Sequence, residues 1–224
     1  IDLSIAIDFT LSNGAPNSRE SLHYFDPQTN QYLQVLQQVG SILQFYNTDK
    51  HINLYGFGGA VPPYPQRASH CFAMNGDIFN PRVNGLDAAI THYRHYLNTV
   101  NLYGPTHFSQ ILDHVNNHIE SDPGAYQNQR FHVLLIITDG VINDMRQTID
   151  QIVRGSNNPL AIIIVGVGNA DFSNMETLDG DDEALYSQIY RQYAAADIVQ
   201  FVPFNQFKNN PTLLARETLM ELPG

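Results

Sequence analysis

One cysteine, Cys71, stands in the whole chain. A disulfide needs two thiols and a cysteine-ligated zinc cluster needs several, so neither can staple this fold, and an intracellular setting is the natural expectation. Positive charge is scarce as well: Lys and Arg number 11 against 22 Asp and Glu, a formal net charge of −11. Such a chain repels phosphate backbones and anionic headgroups at long range, which argues against nucleic acid as a partner. Long apolar runs are missing; the longest, 133–137 and 160–165, have strand length and fall far short of the roughly 18 residues of a spanning helix. No low-complexity linker or internal repeat interrupts the 224 residues, and one domain over 1–224 is expected rather than two. Ile1 stands without a methionine at the head of a strand-like run, so the chain reads as a piece cut from a longer protein. With 43% hydrophobic residues and only 15% charged ones, disorder is excluded.

What is present is an alternation of two periods. Five apolar runs, 3–9, 52–57, 131–137, 160–167 and 198–202, lack clean in–out alternation, as central strands of a covered parallel sheet do. Between them apolar residues recur at helical spacing: Leu33, Leu36, Val39 and Leu43; Leu86, Ala89, Ile90, Tyr93 and Leu97; Phe108, Ile111, Leu112, Val115 and Ile119. Weaker helical stripes follow at Met145, Ile149, Ile152 and Val153, at Leu185, Ile189 and Tyr193, and at Leu213, Leu214 and Thr218. The fold class is therefore α/β, a doubly wound, mostly parallel sheet of six strands with helices on both faces, Rossmann-type, with a short antiparallel edge strand at 69–74. Ile5, Ile7, Leu135, Ile137, Ile163 and Val165 should lie at its centre. The 13–30 loop is long enough to suggest a function of its own.

In open α/β sheets ligands bind beyond the carboxyl ends of the strands. The first run ends Asp8-Phe9-Thr10-Leu11-Ser12, a carboxylate and two hydroxyls at alternate positions, which an extended backbone sets on one side. The third ends Thr138-Asp139-Gly140, and Gly104-Pro105-Thr106 precedes a helix with one more hydroxyl. Two carboxylates and three hydroxyls make a hard oxygen set suited to Mg²⁺ or Mn²⁺. Any one of these residues, read singly, caps a helix or closes a turn; their joint order along the chain is the specific signal.

Other features carry less. Tyr55-Gly56-Phe57-Gly58-Gly59 and Val165-Gly166-Val167-Gly168-Asn169 lack the third glycine of a dinucleotide fingerprint and read as tight turns. The acidic run 179–183 lacks the spacing of a calcium-binding helix-loop-helix. His92 and His95, and His114 and His118, stand off the apolar stripes and read as exposed, and Cys71 reads as a buried packing residue.

Asp8-Phe9-Thr10-Leu11-Ser12, Thr106 and Asp139 resemble the metal-ion-dependent adhesion site of von Willebrand factor A domains, with Thr10 in place of a serine. Within that superfamily the words DFTLSNG from Asp8, SLHY from Ser21, YGFG from Tyr55, LYGPTHFS from Leu102, LLIITDGVI from Leu134, IIIVGVGNADFSNME from Ile162 and DIVQFVPF from Asp197 resemble the A domain of copines. The resemblance implies a non-catalytic protein-binding domain. Thr10, Ser12 and Thr106 would touch the metal, Asp8 and Asp139 would bind it directly or through water, and an Asp or Glu of a partner protein would complete it. It also implies upstream C2 domains that bind phospholipid with calcium, so calcium is expected only there. A cytoplasmic protein recruited to membranes by calcium follows. His107, where copines more often carry a polar amide, and Asn157-Asn158-Pro159, in place of Lys-Leu-Pro, depart from the pattern. Two alternatives stay open. One is the related A domain of RING-type ubiquitin ligases, whose cysteines would lie outside this chain. The other is a metal-dependent hydrolase, with Asp8 as nucleophile or Asp139 as metal ligand and His107 as acid or base.

Overall fold

A computed structural model describes residues 1–122, 124, 130–180, 184–220 and 222. In chain order the elements are β1 (Asp2–Asp8), α1 (Gln31–Tyr46), β2 (His51–Phe57), β3 (Gly59–Ala60), β4 (Phe72–Ala73), β5 (Arg82–Asn84), α2 (Gly85–Tyr96), β6 (Asn101–Leu102), α3 (Ser109–Ser121), β7 (His132–Thr138), α4 (Met145–Gly155), β8 (Leu160–Gly166), α5 (Ser173–Asp179), β9 (Tyr186–Ser187), β10 (Gln192–Tyr193), β11 (Val199–Pro203), α6 (Phe204–Phe207) and α7 (Pro211–Thr218). The main sheet runs β11-β8-β7-β1-β2-β4, with β5 also pairing β2. Pairings among β11, β8, β7, β1 and β2 are parallel; β4 and β5 are antiparallel to β2.

The strands alternate strictly, although their sequences do not show it, because both faces are covered. Leu3, Ile5, Ile7, Leu135, Ile137, Ile163 and Val165 pack on one side against Tyr32, Leu36 and Leu43 of α1, Tyr93 of α2 and Leu214 of α7. Ala6, Leu134, Ile136, Ile162 and Ile164 pack on the other against Ile111, Leu112 and Val115 of α3, Ile152 of α4 and Met175 of α5. The six residues expected at the centre are all at most 1% exposed.

Three expectations need correction. The sheet has seven strands, not six, because the antiparallel edge is shared by two short strands, β4 and β5, one on each half of β2. The Leu185, Ile189, Tyr193 stripe is not a helix: β9 and β10 pair as a ribbon, with Arg191 at φ 54° in the turn. Ile189 and Tyr193 face solvent, so the helical spacing there had no face to bury. Cys71 is half-buried rather than buried, and burial still pushes its thiol up to about 12. Asp181, Asp182 and Glu183 of the acidic run lie outside the described residues. No helix among the described residues is long and apolar enough to cross a membrane.

Parallel pairing of β1 with β7, in the register Ile7 with Ile137, brings two strand ends together. Asp8 is the last residue of β1, and Asp139 directly follows the last residue of β7.

Candidate metal site

Asp8 is fully buried. Its Oδ1 accepts from Thr10 N–H at 2.8 Å and from the Thr10 hydroxyl at 2.6 Å, and its Oδ2 accepts from the Thr138 hydroxyl at 2.6 Å. From Thr10 the contacts continue outward: Thr10 Oγ1 lies 3.0 Å from Ser12 Oγ, which donates to Asp139 Oδ1 at 3.0 Å. Four of the five expected residues thus form one continuous chain of oxygens. Thr106 joins them from the far side. A methyl group placed on Gly140 would sit 3.2 Å from Thr106 Oγ1 and 3.8 Å from Ser12 Oγ, so both hydroxyls lie over the Gly140 Cα. All five residues converge at the carboxyl edge of β1 and β7.

Local structure explains why each side chain is where it is. Past Asp8 the chain stays extended to Thr10 and then makes a single 3-10 turn over Leu11–Asn13. Thr10 bridges to Tyr103, and its methyl group rests on Gly58, where a side chain would be only 2.3 Å away. Thr106 is fixed by a reciprocal pair: its N–H donates to Asn143 Oδ1 at 2.8 Å, and Asn143 N–H donates to its carbonyl at 2.9 Å. Asp144 then accepts from Phe108 N–H and Ser109 N–H, at 3.0 and 2.9 Å, satisfying amides at the start of α3.

Several supporting residues were not singled out by the sequence pattern. Asn13 donates to Asp8 and Thr10 and accepts from Tyr32 OH at 2.7 Å. Beneath Asp8 lies His23, fully buried and stacked between Phe9 and Tyr32. Its Nε2 donates to the Asp8 carbonyl at 2.8 Å, which leaves Nδ1 to accept from Tyr93 OH at 2.8 Å and fixes a neutral tautomer. Burial drives the His23 pKa down to about 3. Thr138 belongs to the strand-end run LLIITDGVI, and Asn143 and Asp144 follow directly after it. Their roles depend on contacts across 35 or more positions, which no local pattern encodes.

The electrostatics match the donor set. Burial, reinforced by Asp8, pushes the Asp139 carboxyl up to about 7, and burial raises Asp8 as well despite its hydroxyl and amide donors. Two facing carboxyls in a site this dry call for a proton or a cation between them. The Thr10–Ser12 and Ser12–Asp139 spacings of 3.0 Å match the edge of about 2.9 Å of an octahedron whose metal–oxygen bonds are roughly 2.0–2.1 Å. Among the described residues no group of three or more His, Cys, Asp and Glu could hold a metal, so any cation here would depend on hydroxyl oxygens.

The proximal thread matrix protein 1 of the mussel byssus, solved in two crystal forms, is similar in fold, with TM-scores of 0.54 and 0.50 at 13% identity. The match covers 96% of this chain but only 47 and 46% of those chains, so this chain spans about half their length. A manganese-loaded crystal structure of the Plasmodium vivax TRAP protein matches at TM-score 0.48 and 15% identity, over 93% of this chain and 70% of that one. The likeness to the byssus protein is one of fold. A family model described as Copine matches residues 21–224, a span that includes Thr106 and Asp139 and begins after Asp8, Thr10 and Ser12. The chain belongs to the copine family.

Proposed function

We propose that this chain is a protein-interaction domain whose binding depends on Mg²⁺ or Mn²⁺ held by Thr10, Ser12, Thr106 and Asp139, with Asp8 acting behind them. The observation that carries this reading is the run of Thr10, Ser12 and Asp139 oxygens spaced 3.0 Å apart across two adjacent parallel strand ends, with Asp8 hydrogen-bonded behind Thr10. Both Asp8 oxygens are taken up by Thr and amide donors, so Asp8 supplies charge and aligns the Thr10 hydroxyl. The bound ion would supply a Lewis-acidic position for an Asp or Glu carboxylate of a partner protein. A hydrolytic role would rest on His107 alone, whose ring packs on that of His70 with centroids 4.4 Å apart, because His23, the imidazole that touches Asp8, has both nitrogens hydrogen-bonded and is buried away from any substrate. In the whole protein, calcium-dependent phospholipid binding would belong to C2 domains outside this chain, acting from the cytoplasm.

Calorimetric titration with Mg²⁺ and with Mn²⁺ tests the reading. Wild type should bind one ion, and Asp139→Ala should lose it while unfolding with the same cooperativity. Equal binding by both proteins would refute the site.

A further inference from the structure

Three large apolar residues adjoining the oxygen cluster in sequence are exposed. Leu11, between Thr10 and Ser12, is 66% exposed, and Tyr103 and Val141 are 44 and 45% exposed. Leu11 N–H donates to the Tyr103 carbonyl at 2.6 Å, which holds those two residues side by side. Val141 follows Gly140, over which the Ser12 and Thr106 hydroxyls lie. Single exposed apolar side chains are ordinary on a protein surface. Three that bracket one set of hard oxygen donors bear on what that set can bind.

Charge gives the reason. Asp8 and Asp139 together offset the charge of a divalent ion, and the net −11 repels an acidic partner at long range. Affinity for a carboxylate must therefore come largely from apolar surface buried next to it. In an extended segment, side chains two positions apart share a face. Resting on the cation-dependent reading above, we propose that the site selects an extended segment of a partner protein with a bulky apolar residue two positions before and two positions after an Asp or Glu. The carboxylate reaches the ion, and the apolar side chains cover Leu11 and Tyr103 on one side and Val141 on the other.

Three capped heptapeptides decide it, titrated into the Mg²⁺-saturated domain: one with a single Asp among glycines, one with Leu at both positions two away from the Asp, and one with Leu at both adjacent positions. The second should bind about tenfold tighter than either of the others. That advantage should vanish in a Leu11→Ser, Val141→Ser double variant whose Mg²⁺ affinity is unchanged. Failure of wild type to bind Mg²⁺ overturns the cation reading itself. Mg²⁺ binding with equal peptide affinities, or with adjacent leucines preferred, overturns this inference alone. Self-association of the domain that the double variant abolishes would assign the rim to a second copy and overturn it too.

Discussion

Asp139 is held near pH 7 by burial and by Asp8, whereas in an unfolded chain a carboxyl titrates near 3.9. Between those values the folded, metal-free protein keeps a proton that the unfolded chain has lost. The group therefore opposes folding above about pH 7, and the opposition fades as pH falls toward 4. In EDTA, wild type should gain stability relative to Asp139→Asn between pH 7.5 and pH 5, read from urea unfolding; parallel pH profiles would contradict the assignment. Gly140 gives a second test at this scale. A methyl group there would press on Thr106 Oγ1 at 3.2 Å with no backbone strain, so Gly140→Ala should leave the unfolding midpoint nearly unchanged and weaken Mg²⁺ binding about tenfold. Calorimetry beside thermal denaturation separates the two effects. The five candidate oxygens could be nominated from the sequence, Asp8, Thr10, Ser12 and Asp139 by strand-end position and hydroxyl spacing and Thr106 by its place ahead of a helix, because these are local signals. His23 and Asn13 were not, since their work is to occupy hydrogen-bonding positions left open by residues distant in sequence.

Asp144 stands at the start of α4, yet its carboxylate serves the start of α3, and it also accepts from the Thr148 hydroxyl at 3.1 Å. One side chain therefore couples two helices to the loop that carries Thr106. Asp144→Ala should cost about 1–3 kcal/mol by leaving buried amides unpaired, and should also lower Mg²⁺ affinity because Thr106 loses its support. Asp144→Asn should recover part of both, and an alanine variant with wild-type stability and affinity would show the coupling to be absent. Element by element, β7 and β8 could be read from sequence because each is a long apolar run buried on both faces. The β9–β10 ribbon could not, because what anchors it is Ser187 donating to buried Asp150 at 2.5 Å and Ala195 N–H donating to Ser156 at 2.8 Å. Those contacts are tertiary, and without them the periodicity at Leu185, Ile189 and Tyr193 imitates a helix. The doubled antiparallel edge was hidden for a similar reason: strands of two and three residues are too short to carry a period.

At the scale of the molecule, two apolar layers enclose the sheet, and neither includes an oxygen of the candidate site. The ion should therefore be dispensable for folding, and the metal-free domain should unfold cooperatively in EDTA. It should still be linked to stability, because Asp8, Thr10, Ser12, Thr106 and Asp139 come from segments up to 131 positions apart, and the unfolded chain cannot gather them. A ligand bound only by the folded state adds RT ln(1 + [L]/Kd), about 2.7 kcal/mol at a hundredfold excess over Kd. For a chain of this length each kcal/mol moves the midpoint by about 2–4 °C. Saturating Mg²⁺ should thus raise the unfolding midpoint by roughly 5–10 °C, EDTA should reverse the rise, and Asp139→Ala should show none. The salt response separates this from general screening of the −11 charge. Screening by an inert salt of equal ionic strength raises wild type and Asp139→Ala alike, whereas a bound ion raises only wild type. A Mg²⁺ response of equal size in both proteins would reduce the effect to screening and remove the ion from the strand ends.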